Sequence, residues 1–189
     1  LLVEGLGGPS IHPYQPAGYY QHLNFPIRTY SQDVNEQQWR RGLYVHWQRM
    51  FLHPQLLAFD APSREECTAA RMRSNTPKAA LVLLNDPTFV EAARNLAERV
   101  MTEVDEDQER LTLLWRLAVS RKPDSDEQEI LTNLLHRRRQ EYKDKPKLAE
   151  ELLSIGISST DATLDLIERA AWTATARVVL NLREAIGRY

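Results

Sequence analysis

The 189 residues suffice for one sizeable domain or a domain with an appendage, and a composition 42% hydrophobic and 26% charged supports a packed core. Against 26 acidic residues stand 24 basic ones, a net charge of −2, which removes the basic surface that a nucleic-acid partner requires. No apolar run approaches the roughly 18 residues needed to cross a bilayer, so no membrane span is expected.

The chain opens on Leu1-Leu2-Val3 rather than Met, with no charged leader ahead of an apolar stretch. It is therefore expected to be a piece of a longer protein, in which an export signal has room upstream. The single cysteine, Cys67, excludes an internal disulfide. One cysteine fits a reducing compartment and fits equally an exported fold that needs no staples.

Residues 1–75 hold six of the ten prolines and four of the five histidines. Prolines at this density rule out long helices before about residue 35. Aromatic residues are dense in the same stretch: Tyr14, Tyr19, Tyr20, Phe25, Tyr30, Trp39, Tyr44 and Trp47. The segment is expected to wrap over a neighbouring surface as a packed loop. Leu43 to Trp47 has the aromatic and β-branched content of a strand, and also the option of opening a helix. The strand reading is preferred here and gives a short β pair.

From Thr76 onward the pattern is helical. Thr76 caps and Pro77 takes the first position of a helix that Asn85 ends. Asp86 and Pro87 repeat that start, with Phe89, Val90, Ala93, Leu96, Ala97 and Val100 on one face. A third helix covers 107–120. Ser125 with Gln128 reads as a capping box before Ile130, Leu131, Leu134 and Leu135. A short helix covers about 146–154 and stops at Gly156. Leu164, Ile167, Ala171, Ala174, Val178, Leu182 and Ile186 predict a last helix buried on much of its circumference. The expected fold is mainly α: a bundle of about five to six helices after residue 76, with an irregular Pro- and aromatic-rich segment over 1–75. Together, 1–75 and 76–189 make one partial domain.

The histidines His12, His22, His46, His53 and His136 share no metal-type spacing, Cys67 has no partner cysteine, and no haem-attachment motif is present. No metal site or cofactor is expected within the chain, and each histidine reads as a surface or loop residue. Cys67 as a nucleophile needs a base nearby, with Arg64 or Arg71 to lower its pKa; the plainer reading is a small buried residue. The segment 64–77 brings Arg64, Arg71, Arg73, Asn75 and Thr76 to the start of a helix. Backbone N–H groups there favour an anion, and guanidinium forks match carboxylate, phosphate or sulfate. These five residues are the candidate anion- or polymer-binding set. The opposing reading has the arginines paired with Glu65, Glu66, Asp60 or an upstream domain. Asn85-Asp86-Pro87 reads as a cap rather than as a catalytic acid beside an amide. The basic run His136 to Arg139 reads as a solvated face tempered by Glu129, Glu141 and Asp144. No nucleophile elbow, P-loop or dinucleotide fingerprint occurs.

Gly7-Gly8-Pro9-Ser10, Pro13-Tyr14-Gln15-Pro16 and Arg40 to Tyr44 resemble segments of a planctomycete-type domain of unknown function. The match is strongest at His53-Pro54, Ala58 to Pro62, Arg64, Cys67-Thr68, Arg71, Arg73, Asn75-Thr76-Pro77 and Ala80 to Pro87. It continues at Ala171-Trp172-Thr173 and Leu180-Asn181-Leu182. Lys78-Ala79 and Arg183 depart from the family pattern. The resemblance implies the later half of a C-terminal domain of a large exported bacterial protein, periplasmic or at the cell surface, with a c-type haem module upstream. It implies no reaction. Two functions follow: a structural or ligand-docking scaffold that contacts upstream domains and an acidic or sulfated polysaccharide, or part of a redox or carbohydrate-acting enzyme completed by upstream residues.

Overall fold

A computed structural model describes residues 2–22, 27, 29–48, 51–63, 65–70, 72, 74 and 76–187, with the backbone alone described at 22. The chain divides at Val82/Leu83 into two compact units.

The N-terminal unit has little regular structure. Before the helix that crosses this boundary, its described residues form 3₁₀ turns at Tyr19–His22, Glu36–Trp39 and Gly42–Tyr44 and the short helix α1 (Pro54–Ala58). The strand expected over Leu43 to Trp47 does not form. Leu43 and Tyr44 close the 3₁₀ turn, and Val45 makes a single parallel bridge to Ile11, flanked by Ile11 N–H to the Tyr44 carbonyl (2.8 Å) and His46 N–H to the Ile11 carbonyl (2.7 Å). Among the described residues only isolated bridges occur, so the β pair shrinks to single rungs. Among the described residues its buried apolar side chains are Ile11, Tyr14, Val45 and Ala58.

Helix α2 (Pro77–Asn85) begins as its sequence requires, with the Thr76 hydroxyl accepting from Ala79 N–H at 3.2 Å and Pro77 first. Asp86 caps α3 (Pro87–Glu103) through Thr88 N–H at 2.9 Å. Then follow α4 (Asp107–Val119), α5 (Ser125–Asp144), α6 (Pro146–Leu153), α7 (Leu166–Leu180) and α8 (Arg183–Ile186). The capping box of α5 is built by Asp124 and Glu127, one residue earlier than expected: Asp124 accepts from Glu127 N–H, and Glu127 accepts from Asp124 N–H, both at 2.8 Å. Ser125 thus becomes the first helical residue.

Helix α7 is the axis of the C-terminal unit. It packs most extensively against α3, next against α5, and also against α6 and α4. Every residue from Arg169 to Ala176 is buried, along with Val179. Four of these are alanines, whose small side chains let neighbouring backbones approach, and Trp172, fully buried, fills the wider gap. The hydroxyls of Thr173 and Thr175 donate to the carbonyls of Arg169 (2.7 Å) and Ala171 (2.9 Å), so their burial leaves no donor unmet. The expected single helix to Ile186 is broken: Asn181 and Leu182 turn back on Val178 and Val179, and α8 restarts at Arg183.

Trp172→Ala is expected to cost about 3–5 kcal/mol, the range for truncating a fully buried aromatic side chain. Leu117→Ala, on a partly exposed position of α4, is expected to cost far less. Urea unfolding of the two variants checks the contrast.

Candidate functional site

In the N-terminal unit, side chains supplement the main-chain hydrogen bonds of its turns and bridges. Arg40 alone serves three carbonyls. Its guanidinium donates to the carbonyls of Gly5 (3.1 Å), Gly7 and Pro9 (3.1 Å), and lies 3.7 Å from the Tyr44 ring centroid. The Tyr44 hydroxyl in turn accepts from Gly7 N–H at 2.9 Å. Gly7 and Gly8 both have positive φ (76° and 92°), which lets the segment fold around the cation. Gln38, 2% exposed, accepts from Tyr14 N–H at 3.0 Å and donates to the Asp33 carbonyl. The Asp33 carboxylate accepts from His12 N–H at 2.7 Å.

His53 is a loop residue, one of the two places expected for the histidines, but it is buried, only 4% exposed. Its Nε2 donates to the Tyr14 carbonyl at 3.0 Å, while Nδ1 accepts from Gln55 N–H at 3.4 Å at the start of α1. A carbonyl only accepts, so this geometry assigns the Nε2–H tautomer. His53 therefore acts as a buried cap and crosslink. His12 and His46 stack at 4.7 Å between ring centroids.

Beside this framework lies an open cleft of about 620 Å³ whose described lining includes Gln15, Tyr19, Tyr20, Gln21, Tyr30 and Gln32. Its tyrosines are braced against one another and against Phe51. Tyr20 meets Tyr30 edge to face at 5.2 Å and Phe51 at 5.7 Å, and Tyr19 meets Phe51 at 4.5 Å. Two hydroxyls are anchored, Tyr30 on the Pro13 carbonyl (2.5 Å) and Tyr19 on the Leu52 carbonyl (3.2 Å). Burial first, then Tyr20 and Asp33, push the Tyr30 hydroxyl well above its ordinary pKa, so it remains a donor. The Gln15 Oε1 is buried without a hydrogen-bond partner among the described residues.

Of the residues singled out for anion binding, Arg64, Arg71, Arg73 and Asn75 lie outside the described residues. Thr76 is occupied as the cap of α2. Within the same segment, Ser74 donates its N–H (2.7 Å) and hydroxyl (2.6 Å) to the Asp60 carboxylate. Cys67 is exposed, which overturns its reading as a small buried residue. Among the described residues no group of three or more His, Cys, Asp and Glu side chains is arranged to hold a metal ion.

The C-terminal unit repeats the arginine device with charge pairs added. Arg94, 1% exposed, donates to the carbonyls of Leu153 (2.6 Å), Ile155 (2.8 Å) and Ser158 (2.9 Å) and to the Ser158 hydroxyl (2.6 Å). Glu91, fully buried, accepts from Ile157 N–H (2.7 Å) and Ser158 N–H (2.5 Å). The loop bends over Glu91 at Gly156, whose φ is 97° and where an added Cβ would meet the carboxylate at 2.5 Å. Arg169 donates to the Asp161 carbonyl and faces Glu98 at 3.8 Å. Burial raises the Glu98 carboxyl above its ordinary pKa, against the pull of Arg94 and Arg169. Arg110 donates to the carbonyls of Val104 (2.5 Å) and Met101 (3.1 Å), closing the end of α3.

The basic run on α5 is not wholly a solvated face. Arg139, with 16% of its side chain exposed, forms a fork to Asp107 (2.6 and 2.9 Å) and bonds Glu168 (2.9 and 2.6 Å). Both carboxylates stand in the first turns of α4 and α7, where the helix dipole favours them. A second cleft, near the start of α5, holds amides that satisfy each other: Gln128 Nε2 donates to Gln108 Oε1 at 2.6 Å.

The sequence model of one family, PSD1, described as a protein of unknown function (DUF1553), matches residues 1–135. No curated protein and no solved structure matches the chain.

Two outcomes follow from the charge network. Arg94→Met is expected to destabilise the C-terminal unit by about 3–5 kcal/mol, because Glu91 is left buried without its cation. The double variant Glu91→Gln, Arg94→Met should lose less than the sum of the single losses, as a double-mutant cycle by urea unfolding would read. Secondly, hydrogen bonds from Arg139 hold the Asp107 carboxyl below its ordinary pKa. A depressed carboxyl stabilises the fold above its unfolded pKa of about 3.9, and that contribution is lost as pH falls through the folded value. Asp107→Asn should therefore be less stable than the parent chain at pH 7, and the difference should shrink towards pH 2 in acid-titrated thermal melts.

Proposed function

This chain belongs to the PSD1 family of proteins of unknown function, and we propose that it is a non-catalytic, ligand-docking scaffold within a larger exported protein. The carrying observation is the use of its buried and part-buried arginines. Arg40, Arg94, Arg110 and Arg169 all donate to main-chain carbonyls of loops or helix ends. Arg139 is taken up by two carboxylates. Groups of this kind in an active site would face a substrate; here they fix loop shape, as a surface presented to a partner requires. On the resemblance noted in the sequence, the proposal further takes this scaffold to follow upstream domains that include a c-type haem module, with an acidic extracellular polymer as one ligand. The stretch Arg64, Arg71, Arg73 and Asn75 is the segment proposed for that polymer.

The reading is tested by incubating the chain, and the longer protein that carries it, with neutral and sulfated extracellular polysaccharides. Retention of polysaccharide without new reducing ends is expected. Release of new reducing ends that disappears in Cys67→Ser or His53→Gln would move the protein to the enzyme class. For the acidic polymer, the double variant Arg71→Ala, Arg73→Ala should bind sulfated glycan about tenfold more weakly, since charge-assisted bonds are lost; unchanged affinity removes that ligand. A reduced-minus-oxidised spectrum of the longer protein without c-type haem absorption would remove the haem neighbour.

A further inference from the structure

We propose that the tyrosine- and glutamine-lined cleft of the N-terminal unit binds a neutral oligosaccharide. The inference rests on the docking reading above and names a ligand class and a place for it. The cleft's volume of about 620 Å³ falls within the roughly 300–1,000 Å³ of small-molecule sites. Its described lining combines two chemistries. Tyr19, Tyr20 and Tyr30 give aromatic surface, held by ring contacts with one another and, for Tyr30 and Tyr19, by hydroxyl bonds to the Pro13 and Leu52 carbonyls. Gln15, Gln21, Gln32 and Thr29 give side chains that both donate and accept.

A saccharide ring matches both. Its C–H face is apolar and flat, and packs on an aromatic ring. Its vicinal hydroxyls each donate and accept, as amides and hydroxyls do. The amides and hydroxyls of Gln15, Gln21, Gln32 and Thr29 are uncharged donors and acceptors, the kind of partner that the hydroxyls of a neutral sugar take. The buried Gln15 Oε1 has no partner among the described residues, and a turn of the amide towards a sugar hydroxyl would satisfy it. The α4–α5 cleft offers no such opening, since Gln108 and Gln128 already pair. A proline-rich peptide would use the tyrosines but leave most of the amide set idle.

The test is calorimetric titration of the intact chain with neutral gluco-, manno- and N-acetylglucosamine hexasaccharides, a sulfated hexasaccharide and a proline-rich decapeptide. Variants are Tyr20→Ala, Gln32→Ala and, in the other unit, Gln128→Ala. At least one neutral hexasaccharide is expected to bind. Its affinity should fall about tenfold in Tyr20→Ala and in Gln32→Ala, the loss of one good contact, and stay unchanged in Gln128→Ala. Circular dichroism reports whether Tyr20→Ala is folded; if it is not, the exposed Gln32→Ala and Gln21→Ala decide. Equal binding by these variants, binding of the sulfated sugar or peptide alone, or no binding of any neutral sugar overturns the proposal. Those results leave the docking reading standing, whereas cleavage of polysaccharide sinks docking whatever the cleft variants do.

Discussion

A main-chain carbonyl taken out of water must find a donor, and the described residues before α2 form neither a sheet nor a long helix to supply one. A guanidinium answers that need with five donors in a planar fork and no acceptor of its own. Arg40 therefore reaches three carbonyls of one glycine-rich segment at once. Arg94 does the same for the loop after α6. In their described residues one unit is turn-rich before α2, and the other is a helical bundle around an alanine-lined axis. Both use the same donor geometry to hold irregular backbone.

In the bundle the clasp depends on α3 being buried along most of its length. Glu91, Arg94 and Glu98 lie at spacings of three and four, which puts them on one helical face. That face turns towards the loop 154–165 and the start of α7, not towards solvent. Their charges are tolerated because each meets main-chain partners or an opposite charge: Glu91 takes two N–H groups, and Arg94 takes three carbonyls. Glu98 is the least satisfied, with Oε1 lacking a hydrogen bond and Arg169 at 3.8 Å, and its carboxyl is raised accordingly. Burial of the Glu98 carboxyl outweighs the attraction of Arg94 and Arg169 and the main-chain bond at Asp161.

Local signals were readable from the sequence and distant ones were not. Thr76-Pro77 and Asp86-Pro87 start helices as expected because a cap and its N–H lie two or three residues apart. The capping box missed by one residue because Asp124 and Ser125 are both good caps, and the reciprocal bond from Glu127 selects the first. The break at Asn181 was invisible because Leu182 and Ile186 keep the apolar spacing across it. The strand at Leu43 to Trp47 failed because β-propensity only acts with a partner strand, and Ile11 offers a single rung. Arg40 and Arg94 carry no local signature, since their carbonyls lie 31–35 and 59–64 residues away. The aromatic density of the first segment was plain, but the meeting of Tyr20, Tyr30 and Gln15 at one cleft depends on a fold with no periodicity to read.

A buried ion pair gives little net stability compared with apolar residues of the same shape. Leucines in place of Glu91 and Arg94 would keep α3 packed, yet they would leave the N–H groups of Ile157 and Ser158 and the carbonyls of Leu153 and Ile155 without partners. The charges are thus tied to the loop rather than to the helix. The same holds for Arg40, whose replacement by an apolar residue would leave Gly5, Gly7 and Pro9 to find water. What these side chains secure is the position of backbone that packing alone does not define. A docking surface made of loops needs that property, because binding then orders little that was not already ordered.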